Sequence, residues 1–479
     1  MEPFYVVVFG ALAATAASFE LTKGKTGSSE HASKEFCKFR TNYTLVYALM
    51  MAGDWLQGPY VYALYQHYGF DRGDIGRLFI AGFGSSAVFG TIVGSLADKT
   101  GRKKAALTYV ITYCIGCATK HWNMFIVLLV GRLFCGVATS LLYSAFESWL
   151  VAEHFKRGYD GELLGGTFSR AVFVGNGLIA IVAGLVAHSL VETLGLGPVA
   201  PFDAAALVMV FGGVIVLFSW TENFGNCSEK KSFLEQLKSG AHAIANDQKI
   251  ALLGAMQSLF EGSMYTFVFL WTPALSPHGE HLPHGMIFAC FMVASMAGSA
   301  LAGRLLAPSL NIRVERYMQA VFAVSALALF VPVIFNRTKA VDEADSLKAD
   351  APGISFQGQI QLVAFCMFEF CVGLFWPSMM KMRAAHVPEE MRATIINFFR
   401  IPLNLFVCVV LYNVSSFPLS TMFGMCSAFL GICVICQRRL DQVVRYEHTL
   451  ADSNASLLSK SVLPKGGSSP SRKHALDNL

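Results

Sequence analysis

Asp98-Lys99-Thr100-Gly101-Arg102-Lys103-Lys104 stands between two long apolar runs, 76–97 and 105–120, and sets four cations around one glycine. Gly101 permits a tight turn, and Asp98, which closes the first run, can accept from the backbone or side-chain donors of Gly101 and Arg102. Glu147, at the end of a later apolar run, is the candidate partner for Arg102. Asp98, Gly101, Arg102 and Glu147 thereby read as a latch at one mouth of a helical bundle; a plain solvated basic loop is the alternative.

The runs flanking that turn set the class. Of 479 residues, 54% are apolar and only 14% charged, with mean hydropathy +0.50, far from the composition of a soluble globular chain. A bilayer-crossing helix needs roughly 20 mostly apolar residues, because no water is there to satisfy backbone N–H and C=O groups. Thirteen such runs can be read, near 4–21, 43–67, 76–97, 105–120, 123–148, 164–188, 201–220, 250–272, 284–306, 316–335, 358–380, 392–412 and 417–437. The expectation is an all-α membrane protein with 12 core transmembrane helices in two six-helix halves plus one extra N-terminal helix. In residue terms, 1–42 holds the extra helix and a basic linker, 43–220 and 250–437 the two halves, 221–249 a linker between them, and 438–479 a polar tail.

Retained cytoplasmic loops carry the excess of Lys and Arg. Segments of one parity hold 28 of the 37 basic residues and the opposite parity six, the other three being arginines inside helices. The Asp98–Lys104 turn, the linker and the C-terminus therefore read as cytoplasmic. The same parity puts 336–357 outside, where Asn336-Arg337-Thr338 is a glycosylation acceptor. Residues 4–21 can also be read as a signal peptide ending near Ala14-Thr15-Ala16. Their N-terminal flank has Glu2 and no cation while five basic residues follow, which favours a retained helix.

Ten of the 12 cysteines fall inside apolar runs and read as core packing, the Cys433-Val-Ile-Cys436 pair included. His278, His281 and His284 read as a solvated turn rather than a metal site. No nucleotide loop, metal-ligand spacing or nucleophile constellation lies outside the apolar runs, so no enzyme, cofactor or nucleic-acid partner is expected.

An ionisable side chain near the bilayer centre costs at least ~2.5–3.5 kcal/mol, so one that persists faces a cavity or a partner. Six stand inside the runs: Asp54, Arg132, Arg170, Glu261, Glu369 and Arg400. Asp54, Glu261 and Glu369 lie about 17 Å along their helices, close to mid-membrane. The halves echo each other there. Arg132-Leu-Phe-Cys-Gly136 aligns with Glu369-Phe-Cys-Val-Gly373, Thr167-Phe-Ser-Arg170 with Asn397-Phe-Phe-Arg400, and Asp54 with Glu261. Arg132 and Glu369 read equally well as a structural ion pair. Arg170 and Arg400 lack an acidic partner on their own helices, and two converging guanidiniums can grip a tetrahedral oxyanion. Asn176, Asn404, Ser378 and Asn397 can add neutral polar contacts.

The Asp98–Lys104 turn resembles the loop between the second and third helices of major facilitator transporters. Further stretches are Asp54-Trp-Leu-Gln-Gly-Pro-Tyr60, Tyr65-Gln-His-Tyr68, Ser144-Ala-Phe-Glu-Ser-Trp149, Gly195-Leu-Gly-Pro-Val-Ala-Pro201, Phe267-Val-Phe-Leu-Trp-Thr-Pro273 and Phe399-Arg-Ile-Pro402. Together they resemble the molybdate-anion transporter family of the major facilitator superfamily over nearly all of 1–440. The resemblance implies molybdate uptake across a plasma membrane. From the two-half layout and the charges themselves the mechanism expected is alternating access, with Arg170, Arg400, Arg132, Asn404 and Asn176 holding the oxyanion and Asp54, Glu261 and Glu369 carrying coupled protons. A carrier for another anion or small solute, or a non-transporting scaffold or receptor, is the competing reading.

Overall fold

The computed structural model describes residues 3–21, 33–225, 238, 241–242, 244–276, 282–307, 310, 312–338, 354–387, 399 and 403–462. Among them all regular structure is helical, and a helix covers part or all of each of the thirteen apolar runs. In chain order these are α1 (Pro3–Leu21), α2 (Lys34–Gln57), α3 (Val61–His67), α4 (Arg72–Thr100), α5 (Arg102–Ala118), α6 (Phe125–Leu142), α7 (Ala145–Lys156), α8 (Gly161–Val172), α9 (Ile179–His188) and α10 (Ala200–Ser219). They continue with α11 (Gln248–Leu275), α12 (His284–Leu305), α13 (Val314–Thr338), α14 (Phe356–His386), α15 (Leu403–Tyr412) and α16 (Leu419–Val462). Eight of the described helical stretches are long and apolar enough to cross a membrane.

Two boundaries depart from the sequence reading. The helix expected from residue 43 starts at Lys34, because Ser33 caps it by accepting from the Phe36 N–H at 3.1 Å and Glu35 sits in its first turn. The last helix, expected to stop at 437, runs to Val462. There Arg313 reaches Asp441 at 3.0 Å and Lys249 reaches Glu447 at 2.9 Å, and these ion pairs add to the packing of Leu440 and Val444 in the core. Asn336, in the last turn of α13, is helical.

Three of the apolar runs are built from broken helices. Gly58-Pro59-Tyr60 forms a tight turn between α2 and α3, where proline removes a backbone donor. Tyr143 and Ser144 interrupt α6 and α7. Between α8 and α9, Phe173–Leu178 is wound as a π segment.

Within each bundle glycines let backbones meet. A Cβ on Gly136 would stand 2.4 Å from the Gly82 carbonyl oxygen of α4, and one on Gly373 would stand 1.9 Å from the Ser295 carbonyl oxygen of α12. Gly298 faces Phe370 O in the same way, at 1.9 Å. The aligned glycines of the two halves thus do the same job, seating α6 on α4 and α14 on α12.

The first helix packs on α12, burying Ala16 against Val293 and Ala297. Arg304, in the last turn of α12, donates to Phe19 O at 2.7 and 3.0 Å and to Ser18 O at 2.8 Å, and its guanidinium lies 4.9 Å from the Phe19 ring. A cation thereby satisfies the unpaired carbonyls at the negative end of α1.

Contacts between the α2–α10 bundle and the α11–α16 bundle gather in the helix halves remote from the Asp98–Lys104 turn. Tyr62 and Phe79 meet Phe269 at 5.3 and 5.1 Å, Phe83 meets Tyr265 at 5.3 Å, and Trp55 meets Phe288 at 5.9 Å. Gly184 and Gly285 face each other's carbonyl oxygens, and Gly76 sits under Leu411 O. Among the described residues no such contact joins the bundles beside the Asp98–Lys104 turn. At the closed face a recess of ≈ 310 Å³ is lined by Tyr62, Gln66, Asp71, Arg72 and Ser276, apart from Asp54, Arg132, Arg170, Glu261 and Glu369.

Gly373→Val should therefore cost the upper end of the ~1–3 kcal/mol typical of overpacking, since its methyls would meet backbone rather than a movable side chain. Lowered yield of monodisperse protein and a lowered thermal midpoint in detergent would register it, whereas Gly431→Ala, with nothing within 4 Å of its Cβ position, should leave both unchanged.

Candidate functional site

Helical period puts Tyr43, Tyr47 and Asp54 on one face of α2, since steps of four and eleven residues return to within about 40°. Asp54 accepts from the Tyr113 hydroxyl of α5, and Arg132 lies within electrostatic range of it. Arg132 itself is held on α4: its Nε donates to Leu78 O at 3.3 Å and its guanidinium lies 4.9 Å from the Phe79 ring. Gly82 provides the room, for a Cβ there would fall 2.6 Å from Arg132 Nη2.

Two of the three breaks in this bundle, at Tyr143 and at Phe173–Leu178, open onto the same wall. Tyr143, at the α6–α7 break, is 55% exposed although it lies within electrostatic range of Asp54, Tyr47 and, from the other bundle, Tyr265. A side chain so placed lines an open space between the bundles. Asn176, in the π segment, lies beside Tyr47, and its Oδ1 is buried with no hydrogen-bond partner among the described residues. Gly175 allows that approach, since a Cβ would stand 2.8 Å from the Tyr47 ring. Arg170, at the end of α8, is exposed and makes no hydrogen bond or ion pair among the described residues. Arg400 and Asn397 lie outside the described residues, as do His278 and His281. Asn404, on α15, is half-buried and makes no hydrogen bond among the described residues.

The second bundle holds its carboxylates differently. Glu261 is 2% exposed and accepts from Gln257 Nε2 at 2.7 Å, and Gln257 Oε1 accepts in turn from Arg383 Nη1 at 3.0 Å. Glu369 is 6% exposed, with no hydrogen bond or ion pair among the described residues. The ion pair read between Arg132 and Glu369 is not formed; the Arg132 guanidinium is committed to α4 instead. Ser378 is fully buried, bonded to Tyr317 at 2.7 Å and donating to Leu374 O, so it packs α14 against α13 rather than facing the space between bundles.

The Asp98–Lys104 turn is a latch with other partners than expected. Arg102 donates to Asp98 Oδ1 through Nε and Nη2, at 3.0 and 2.9 Å, and through Nη1 to Ser148 O at 3.0 Å. The Gly101 N–H goes to Ala97 O rather than to Asp98. Glu147 does not hold Arg102; it lies within electrostatic range of Tyr43 and Tyr47 instead. The missing acid is Glu222, just beyond α10, which accepts from the Lys103 and Lys104 N–H groups at 2.8 and 3.3 Å. Asn223 Nδ2 donates to Trp149 O at 3.1 Å, Trp149 Nε1 to Thr221 O at 2.8 Å, and the Gly225 N–H to Asp98 O at 2.9 Å. Trp149 and Trp220 stack at 3.7 Å beneath them.

Sequence reasoning missed Gln257, Arg383, Glu222 and the tyrosines. Tyr43/Tyr47 and Tyr109/Tyr113 stand four apart, a stripe that does signal one face. Nothing in the sequence joins Gln257 to Arg383. Among the described residues no group of histidine, cysteine and acidic side chains is arranged to hold a metal ion.

A family model described as sugar transporters with 12 transmembrane segments matches residues 4–365. The molybdate-anion transporter of Xenopus tropicalis is 34% identical over 435 residues, covering 90% of this chain and 91% of that protein. That of Xenopus laevis is 34% identical and covers 93% and 96%. Among solved structures, the POT family transporter PepTSo superposes with TM-score 0.66 at 13% identity, covering 85% of this chain and 98% of its own. The nucleoside transporter NupG gives 0.61 at 14%, covering 84% and 99%. At those identities the structural likeness speaks for the fold alone.

Loss of the Glu222 carboxylate should cost about 1 kcal/mol, as for other helix caps. Gly101→Val should cost more, because φ +113 is closed to branched residues and a Cβ there would meet the Glu222 carboxyl at 2.5 Å. Thermal midpoints of the purified protein should fall in the order Gly101→Val below Glu222→Ala below wild type, with Glu147→Ala at the wild-type value.

Proposed function

The chain belongs to the molybdate-anion transporter family of the major facilitator superfamily, and from that premise we propose that it imports molybdate across the plasma membrane by proton-coupled alternating access. The observation that carries the substrate reading is Arg170, an exposed guanidinium without an ion-pair partner among the described residues, next to a π segment. π segments recur at functional sites, and broken helices at the binding sites of repeat-built transporters. Arg170 meets the oxyanion from the first bundle, and Arg400 from the second. Asn176 and Asn404 add neutral donors, and Arg132 supplies a fixed positive field from α4.

Bundles whose described contacts gather at one end suit a rocking motion. In this reading the face with the Asp98–Lys104 turn and the C-terminus is cytoplasmic, and the structure is the inward-open state. The Asp98–Arg102–Glu222 latch then belongs to the cytoplasmic gate and holds the first bundle rigid as it moves. Residues 43–220 and 250–437 are the moving halves, and 221–249 joins them. Asn336 faces outside.

Bringing a dianion into a negative interior is uphill by about 4.6 kcal/mol per 100 mV. Protons taken up with the anion offset this, and Asp54, Glu261 and Glu369 are placed to carry them. Carriage of another anion or small solute keeps the fold and is favoured only by the description of the matching family model.

Radiolabelled molybdate uptake by cells expressing the full chain tests the proposal. Arg170→Ala should raise the half-saturating concentration about 10- to 100-fold, the loss of one charge-assisted contact worth ~1.5–3 kcal/mol, and Arg170→Lys should recover part of it. Wild-type uptake no greater than in control cells, or inhibited equally by sugars, would sink the molybdate reading. Arg170→Ala uptake equal to wild type would remove Arg170 from the site.

A further inference from the structure

In the second bundle one carboxamide bridges a cation and an anion. Gln257 stands one turn before Glu261 on α11, and both are buried, at 4% and 2% exposure. Arg383, in the last turn of α14, is half-buried and reaches inward to Gln257 Oε1 at 3.0 Å, while Gln257 Nε2 reaches Glu261 at 2.7 Å. An amide accepts at one end and donates at the other, so this orientation alone suits a guanidinium on one side and a carboxylate on the other. Reversing it would set NH₂ against guanidinium and oxygen against carboxylate. The orientation of a single buried amide is therefore tied to the charge at both of its ends.

Two satisfied states follow. In the first, Arg383 donates to Gln257 and Gln257 to Glu261, the contacts seen, and an ionised Glu261 suits them. In the second, Arg383 turns a donor to an oxyanion and Oε1 loses it, which is costly in a buried place. The amide recovers a donor by rotating to accept from Glu261 once that carboxyl carries a proton. The proton comes from solvent, adds to one Glu261 oxygen without any other bond changing, and returns to solvent when the anion leaves.

We propose that Gln257 is the positioning residue through which oxyanion contact at Arg383 and proton binding at Glu261 become one event. This rests on the reading of the chain as a molybdate carrier, and adds Arg383 to the groups that meet the anion. Of the elements packed on α11, α14 also carries Glu369, α15 carries Cys408, and α16 carries Cys426 and Cys433, whose Sγ lies 3.7 Å from Met256 O. On α11 itself Tyr265 follows one turn after Glu261. The bridge to Arg383 runs through Gln257.

The test is molybdate uptake by the full-length chain at acid and neutral external pH, with cell-surface abundance matched. Wild type should be acid-stimulated. Gln257→Leu, and Gln257→Asn as a milder change that keeps the amide but is one methylene too short to span both groups, should each lose about ten-fold of that stimulation. Their half-saturating concentrations should move far less. Arg383→Lys should keep the pH dependence and weaken half-saturation. A Gln257 of merely structural importance would lower uptake by the same factor at every pH, and that result would overturn the relay, as would wild-type uptake indifferent to pH. If the wild type takes up no molybdate at all, the substrate reading falls first and the relay with it.

Discussion

Helices surrounded by lipid gain little from burying apolar side chains against one another, so their association depends on how closely backbones approach and on what polar groups meet there. The molecule meets that constraint with paired glycines. Gly136 brings α6 onto α4, and Gly298 with Gly373 brings α14 onto α12, each where a Cβ would collide with a carbonyl oxygen. Four residues before Gly136 and Gly373 stand Arg132 and Glu369. The close approach that seats the helix also fixes the depth and rotation of the charge one turn away.

Given that scaffold, the charges divide by what holds them. Arg132 is tethered to its neighbour helix and acts on Asp54 as a field rather than as a pair. Glu261 accepts from the Gln257 amide, which in turn accepts from Arg383. Arg170 is exposed and has no hydrogen-bond or ion-pair partner among the described residues. A tethered cation, a bridged carboxylate and an exposed guanidinium answer differently to an incoming anion, and only the last can turn to it without first giving up a protein partner.

The basic turns of the two halves are used differently. In the first half the Asp98–Lys104 turn gathers α4, α5, α7 and the segment after α10 into one polar knot, with Glu222 satisfying backbone donors that the start of α5 would otherwise leave unpaired. In the second half Arg304, in the last turn of α12, clasps the end of α1. One half therefore uses its basic turn to brace itself, and the other to hold an additional helix.

Hydropathy and helical period belong to short stretches of chain, so the amino-acid sequence alone determined the all-helical class, the helix under each apolar run and the kinship of Gly136 with Gly373. Partner choice does not reside in any short stretch. Whether Arg102 meets Glu147 or Ser148, whether Arg132 crosses to Glu369 or stays on α4, and whether Gln257 finds Arg383 turn on a few ångströms of interaxial distance and a few tens of degrees of helix rotation. Those are set by packing among helices far apart in the chain, and the tertiary structure alone decided them.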